Sequence, residues 1–437
     1  MLKKLLIILL LLLFSGCKEA SNFLYQTVGT KTHNYKKSSS TLKECQLNKA
    51  INIVLKNNEN NLLKNSELGL GNYFKNNYQT SNHFFNLAIN QYRVHENNAI
   101  FDISTFLRKE YHLEGYDKVL LHNYKAINYL LLGDAEAARV EAKNSNIIQD
   151  IERKKLNKFK KNYNKKNLNS HLFSRYEKLF NHVEEKHNPY QNPLAYYISA
   201  LAYAEERDYE NALIDIHLAK KLMPNSRILQ EKLKQYQEQN SSKFIELFFD
   251  VGQAPYKTQV ALKLNMENGE QRMAYLPSFH LEISDVESVY IKNSKGEEVG
   301  RTSLLSDINA IKINEFKEKL PSILYLISQQ VTISLTSSKL NSNSKIISGI
   351  FNAGAAIYGQ NTTATWSFLP QKSLVLSFVP KDFETYTMFV ISKNGETLDK
   401  KLLEWNVHTK TRSIYKNFII RSNKICKELK SDTLETL

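Results

Sequence analysis

"PLAYYISALAYAEERDYENALIDIHLAKKLMPNS", residues 193–226, decides the fold. Small and apolar residues recur at helical spacing on both sides of Arg207-Asp208, so the stretch reads as two short helices joined by a tight turn. Ala200, Tyr203, Ala212, Ile216, Ala219 and Pro224 lie at offsets 0, 3, 12, 16, 19 and 24. Ala200 and Ala219 are small where two helices must approach closely, and Tyr203 and Ile216 fill the space beside them. Pro224 cannot continue a helix and ends the second one. A second copy fits at 119–149, with Ala126, Tyr129, Ala138, Ala142 and Ser145 at the same offsets and Gly133-Asp134 at the turn. A third, near 62–92, keeps Gly69, Ser81, Phe85 and Ala88. It puts Asn72 where an apolar residue belongs, with Tyr73 beside it.

This spacing resembles the tetratricopeptide repeat (TPR), a helix-turn-helix unit of about 34 residues. The three units start 57 and 74 residues apart, so they are not a strict tandem array, and extra helices such as one over 100–111 belong between them. The expectation is a TPR-like α-solenoid over 46–241, with a basic insertion at 150–192. Its concave surface would bind protein segments. A plain helical bundle with chance alanine spacing is the alternative. From Ser242 the period changes to two: "FIELFFDV", "YKTQVALKLNM", "RMAYLPSF" and "SLVLSFV" read as strands, Lys295-Gly296 and Asn394-Gly395 as hairpin turns, and "NEFKEKLPSILYLISQQ" as a helix. The fold class is therefore α+β: a helical half, then a mixed β-rich domain over 242–422, then a loose tail at 423–437.

The N-terminus carries Lys3 and Lys4 and then ten apolar residues, Leu5 to Phe14. A bilayer span needs about 20 residues, so the run suits the h-region of a signal peptide. Phe14-Ser15-Gly16-Cys17 resembles the lipobox of bacterial lipoproteins, with Phe14 in place of the usual Leu. The resemblance implies cleavage after residue 16 and a lipid anchor of thioether and palmitate type on Cys17; the polar stretch that follows, with Ser38-Ser39-Ser40-Thr41, reads as a flexible tether over 17–45. Lys18, where Asp would signal retention, implies sorting to the outer membrane, facing the periplasm. The alternative is an ordinary secretory signal with an incidental cysteine. Cys45 and Cys426 are the two other cysteines. In an oxidising compartment they are candidates for one disulfide, or they remain two separate thiols.

The formal charge is +15. On an exported chain this favours anionic envelope partners over nucleic acid. Residues 153–166, "RKKLNKFKKNYNKK", hold eight basic residues in fourteen. Arg153, Lys154, Lys155, Lys158, Lys160, Lys161, Lys165 and Lys166 are a candidate contact for cell-wall or lipopolysaccharide anions, or simply a solvated charged extension. Catalytic and metal-binding constellations are thin. His182 and His187 are five apart where a zinc helix needs four. Ser342 and Lys345 match Ser-x-x-Lys without the partner motifs of penicillin-recognising enzymes. Asp285 and Glu287 would share a strand face. "GIFNAGAAIYG" at 349–359 lacks the Lys-Ser/Thr of a phosphate loop. No cofactor is expected.

Taken together, "GNYFKNNYQTSNHFFNLAI", "GYDKVLLHNYKAINYLLLGDAEAARVEAK", "DVGQAPYK" and "ATWSFLP" resemble a family of bacterial TPR-bearing envelope lipoproteins to which no reaction is assigned. The family implies gene neighbours among envelope lipoproteins, and an Asp and an Arg shortly before the tryptophan. Here Thr362 and Ala364 stand before Trp366. The expected function is a non-enzymatic, lipid-anchored periplasmic adaptor for protein partners. A cell-wall or lipopolysaccharide-binding module is the alternative, and a hydrolase using Ser342 or Asp285/Glu287 ranks third.

Overall fold

The computed structural model describes residues 36–57, 61–98, 111, 113–162, 176–181, 190–240, 242–265, 271–320, 364–381, 385–403 and 412–426. The chain is α+β. Helices α1 (36–43) and α2 (Leu47–Leu55) lead into three helical hairpins. These are α3 (Asn61–Phe74) with α4 (Tyr78–Asn98), α5 (Gly115–Leu132) with α6 (Ala135–Asn162), and α8 (Pro193–Glu205) with α9 (Tyr209–Leu222). The short α7 (Glu177–Phe180) precedes the third hairpin and α10 (Arg227–Gln237) follows it.

The three hairpins turn in the same way. The residue seven positions after Gly69, Ala126 and Ala200 takes a left-handed conformation: Asn76 (φ 62°), Gly133 (φ 79°) and Arg207 (φ 64°). The next amide then bonds back to the first helix: Asn77 to Asn72 O (2.9 Å), Asp134 to Tyr129 O (2.8 Å) and Asp208 to Tyr203 O (3.0 Å). Such a left-handed cap satisfies carbonyls left open at a helix end. Asp134 and Asp208 also cap the following helix through their carboxylates, to Ala137 N (2.9 Å) and Asn211 N (3.2 Å).

Ala126, Ala138, Ala142, Ala200, Ala212, Ile216 and Ala219 are fully buried between paired helices, while Tyr129 and Tyr203 are half-buried. The α9 helix ends at Leu222, ahead of exposed Pro224. In the first hairpin Gly69 is required, because a Cβ there would stand 2.4 Å from the Phe85 ring. Asn72 is tolerated in an apolar position because its amide donates to Leu68 O (2.8 Å), and neighbouring Tyr73 is fully buried instead.

The second half builds two sheets and a separate ribbon. The first sheet has the order β11-β10-β1-β7-β6: β1 (Ile245–Val251), β6 (Ser303–Asp307), β7 (Lys372–Phe378), β10 (Ile414–Arg421) and β11 (Lys424–Ile425). The central pair β1·β10 is parallel, and the other pairs of this sheet are antiparallel. The second sheet has the order β5-β4-β8-β9, from β4 (Val286–Asn293), β5 (Glu298–Arg301), β8 (Tyr386–Ser392) and β9 (Thr397–Leu403). Strands β2 (Tyr256–Asn265) and β3 (Gln271–His280) form the ribbon, and helix α11 (308–320) follows β6.

The layers are helices, first sheet, second sheet. Ile245, Leu247, Phe249 and Val251 of β1 pack with Val289 and Ile291 of β4 and Met388 and Val390 of β8. The other face of β1 joins the helical core through Phe248, together with Val375 and Ile419 of its neighbours and with Trp366 and Phe368. Trp366 is fully buried, edge-on to Phe85 of the first hairpin (6.2 Å) and to Tyr124 of the second (6.5 Å).

Four sequence expectations change. The helical half and the β-rich half share one hydrophobic cluster, so 46–241 and 242–422 are not separately packed. Residues 36–43 of the expected tether are helical, with Ser38, Ser39, Thr41 and Leu42 buried, because the chain there is clamped against the second half. Residues 424–425 of the expected loose tail pair with β10, and Cys426 forms a disulfide with Cys45 (Cα–Cα 5.2 Å). Residues 150–162 of the expected insertion continue α6. The expected helix over 100–111 lies outside the described residues except for Tyr111.

Gly69→Ala tests the hairpin packing. It is expected to cost about 1–3 kcal/mol by overpacking against Phe85, measured by urea unfolding. An unchanged midpoint would contradict the packing described here.

Candidate functional site

The first helix of every hairpin faces the first sheet and makes a buried polar contact to the second half. On α3, Glu67 accepts from Ser367 N (2.6 Å), Ser367 Oγ (2.6 Å) and Phe368 N (2.9 Å). On α5, Tyr124 OH donates to Asp250 Oδ1 of β1 (3.2 Å), which also accepts from Ser373 Oγ (2.9 Å). On α8, Tyr197 OH donates to Glu246 Oε2 of β1 (2.8 Å), and Lys232 of α10 and Ser377 hold the other oxygen. Arg421 on β10 is buried, donates to Asp250 O (2.8 Å) and Phe368 O (3.2 Å), and lies 5.2 Å from the Phe74 ring. Burial pushes the Glu67 carboxyl up to about 7, outweighing its three donors and Lys312. Burial likewise raises Asp250 to about 6, against Arg421 and its hydroxyl donors.

The face expected to be an open concave surface is thus occupied by the chain's own sheet. The second helices turn outward and carry exposed apolar residues. On α6 these are Val140 (53 % exposed), Ile147 (48 %) and Ile151 (43 %), spaced seven and four apart and therefore on one face. On α9 they are Ile214 (57 %) and Leu218 (39 %), one turn apart. Exposed lysines flank them: Lys143 and Lys154 on α6, Lys221 on α9.

The basic stretch begins on α6. Lys154 pairs with Asp150 (2.6 Å) and Lys155 with Glu152 (2.8 Å), and Arg153 also reaches Asp150. Lys158, Lys160 and Lys161 ride on the same helix, and Lys165 and Lys166 lie outside the described residues. So do Cys17, His182, His187, Ser342, Lys345, residues 349–359 and Thr362. Asp285 and Glu287 are both exposed, and Asp285 accepts from Asn423 Nδ2 (3.3 Å).

Two features were not foreseen from sequence. One is a closed ionic cluster where α5, β2 and α11 meet. Glu114 bonds Lys257 (2.6 Å) and lies 3.6 Å from Lys319. Burial would raise its carboxyl, but Lys257 and Lys319 outweigh that and hold it at about 2. Glu315, nearly fully buried, is pushed by burial up to about 7 despite its contact with Lys319. Lys312 is buried above the Tyr116 ring (5.1 Å), and its Nζ has no hydrogen-bond partner among the described residues. With exposures of 1–2 % at Lys312, Asp117 and Glu315, these groups fasten α11 to the fold and offer no entry for a ligand.

The other is a groove of about 240 Å³ between α1, the β1–β2 connection and residues 364–367. Lys36, Ser40 and Lys43 line it from one face of α1, Gln253 and Tyr256 from the opposite wall, and Thr365 from the floor. Its three sides come from segments hundreds of residues apart, and no local pattern announces it. Ala364, noted above for its place before Trp366, also lies on its wall.

Among the described residues, no group of three or more His, Cys, Asp or Glu is arranged to hold a metal ion, and no helix is long and apolar enough to cross a membrane. No protein-family model, no curated protein and no solved structure matches the chain.

The raised pKa of Glu67 sets a pH dependence. The native state holds this proton more tightly than the unfolded chain, whose carboxyl titrates near 4.5. Its contribution to stability is complete below that value and is lost as pH rises through about 7. Glu67→Gln, which cannot ionise, is expected to shrink the fall in unfolding free energy between about pH 5 and pH 8 by about 2 kcal/mol. Parallel pH profiles of variant and parent would refute the assignment.

Proposed function

We propose that the chain is a non-enzymatic, lipid-anchored scaffold of a bacterial cell envelope, attached through Cys17 to the outer membrane and facing the periplasm. Its three hairpins act as TPR-like units that grip a protein partner on their outward second helices. The observation that carries this is the line of Val140, Ile147 and Ile151 along α6, with Ile214 and Leu218 on α9. Large aliphatic residues on the outer side of a helix cost solubility unless something covers them, and aligned ones mark an interaction face. Lys143 and Lys221 beside them select an acidic amphipathic segment as the partner's contact. In support of the repeat reading, the same left-handed turn recurs in all three hairpins, and the small residues sit at the helix–helix contacts.

A photo-crosslinking residue placed at Ile147 or Ile214 in living cells is expected to capture one discrete protein. The same probe at exposed Lys400 is not, and Ile147→Ser with Ile151→Ser should abolish capture from Ile214. Equal capture from Lys400, or none from either stripe position, would overturn the docking face. The anchor is tested separately: Cys17→Ser is expected to lose metabolic palmitate labelling and membrane fractionation together. An unlabelled parent chain would remove the anchor from the proposal.

A further inference from the structure

We propose that the groove beside α1 is a binding site for an acidic saccharide, a sugar ring bearing a carboxylate or phosphate. This goes beyond the docking of a protein partner and uses a different surface. Four observations converge on it.

The groove has room for a small ligand: its volume of about 240 Å³ lies somewhat below the range usual for drug-sized clefts. It is also held open by fixed parts. Its floor hangs on Glu67, which binds the amide and hydroxyl of Ser367 and the amide of Phe368. Ser367 O in turn accepts from Ser39 Oγ of α1 (3.5 Å) and from Gln253 Nε2 of the opposite wall (3.2 Å). Thr365 Oγ1 accepts from Lys257 N (3.0 Å). A ligand entering such a cleft meets polar groups already in place, which lowers the ordering cost of binding.

Its chemistry suits a sugar. Tyr256 presents a half-buried ring backed by the His280 ring (4.9 Å), a platform for the apolar face of a pyranose. Ser40, Gln253 and Glu282 surround that platform with the donors and acceptors that ring hydroxyls and acetamido groups require.

Its charge selects an acid. Of the two lysines on the α1 wall, Lys43 is spent on Glu282 (2.7 Å). Lys36 has no acidic partner among the described residues, and its ammonium stands 5.7 Å from the centre of the Tyr256 ring. A sugar stacked on Tyr256 would bring its anionic substituent to Lys36.

The test is calorimetric titration of the full-length chain in detergent with three probes. These are a neutral N-acetylglucosamine disaccharide, a disaccharide of N-acetylglucosamine and N-acetylmuramic acid, and a phosphorylated glucosamine disaccharide. The carboxylate and phosphate arms separate the two sources of the anion. At least one acidic probe is expected to bind about tenfold more tightly than the neutral one, and Lys36→Gln should erase that preference. Tyr256→Ala should weaken every probe, with thermal unfolding followed in parallel so that lost binding is not mistaken for lost fold. Exposed Lys36→Gln keeps the test decisive if Tyr256→Ala destabilises the chain. Absence of binding by all three probes at millimolar concentration would overturn the site. So would binding unchanged in both variants, including binding lost only when the lysines of 153–166 are neutralised. Ile147→Ser should leave all three titrations unaltered, which keeps this outcome separate from that of the protein-docking face.

Discussion

Strand β1 has no face toward solvent, yet its helix-facing side carries two carboxylates, Glu246 and Asp250, at 1 % and 3 % exposure. A carboxylate taken out of water is costly unless hydrogen bonds and opposite charge replace its hydration. Glu246 receives a tyrosine, a lysine and a serine; Asp250 receives a tyrosine and a serine, with Arg421 bound to its backbone oxygen. Apolar packing alone would tolerate some sliding of helices over the sheet. These carboxylates do not, because a displaced helix leaves a buried charge without its partners. The position of the second hairpin is fixed by Asp250, that of the third by Glu246, and Glu67 fixes the first by the reverse arrangement, a helix carboxylate holding a loop from the second half.

This constraint closes the inner side of the three hairpins. An open solenoid presents the inner helices to a ligand, and its units touch only their neighbours. Here the inner helices α3, α5 and α8 are consumed by the molecule's own sheet, and Trp366 wedges against both the first and the second hairpin. What remains for a partner is the outer row, α4, α6 and α9. Leu87, Val140, Ile147, Ile151, Ile214 and Leu218 are exposed there, while Leu55, Ile283, Val379 and Leu402 are exposed singly elsewhere.

The hairpins were legible because their signals are local: small residues at fixed offsets, and a turn residue followed by Asn or Asp. Most strands were legible by alternation, and so was the turn at Gly296. Strand β10, "IYKNFIIR", was not, because Lys416 and Asn417 interrupt its apolar pattern. Asn417 faces the helices, where Tyr78 OH meets its side chain at 2.7 Å, so its polarity is satisfied by a residue far off in sequence. The serine run of α1 suggested a tether. In the fold, Ser40 and Thr41 bond back to Lys37 O (3.0 and 2.8 Å), and Leu42 is buried. Hydroxyls can support a helix in this way once tertiary contacts favour it. The two cysteines were candidates for one disulfide or for two separate thiols, because their proximity depends on how both ends of the chain fold. The groove was invisible for the same reason.

The two ends of the described chain are closed onto the fold. Cys45–Cys426 joins positions 381 residues apart, Ser422 Oγ donates to Lys43 O (3.0 Å), and Lys43 bridges to Glu282. Helix α1 is thereby tied both to the edge of the first sheet and to the β3–β4 connection, while the groove floor is tied to the first hairpin through Glu67. The outward stripes ride on the second and third hairpins, which β1 holds through Asp250 and Glu246. A motion that linked the stripes to the groove would have to pass through β1 and break at least one of these buried bonds, leaving a carboxylate desolvated and unpaired. That penalty is large compared with the coupling energies typical of allosteric proteins. The stripes on α6 and α9 and the groove beside α1 are thus tied to the same strand, so under the proposed reading a partner on α6 and α9 and a ligand beside α1 would be held at a fixed separation.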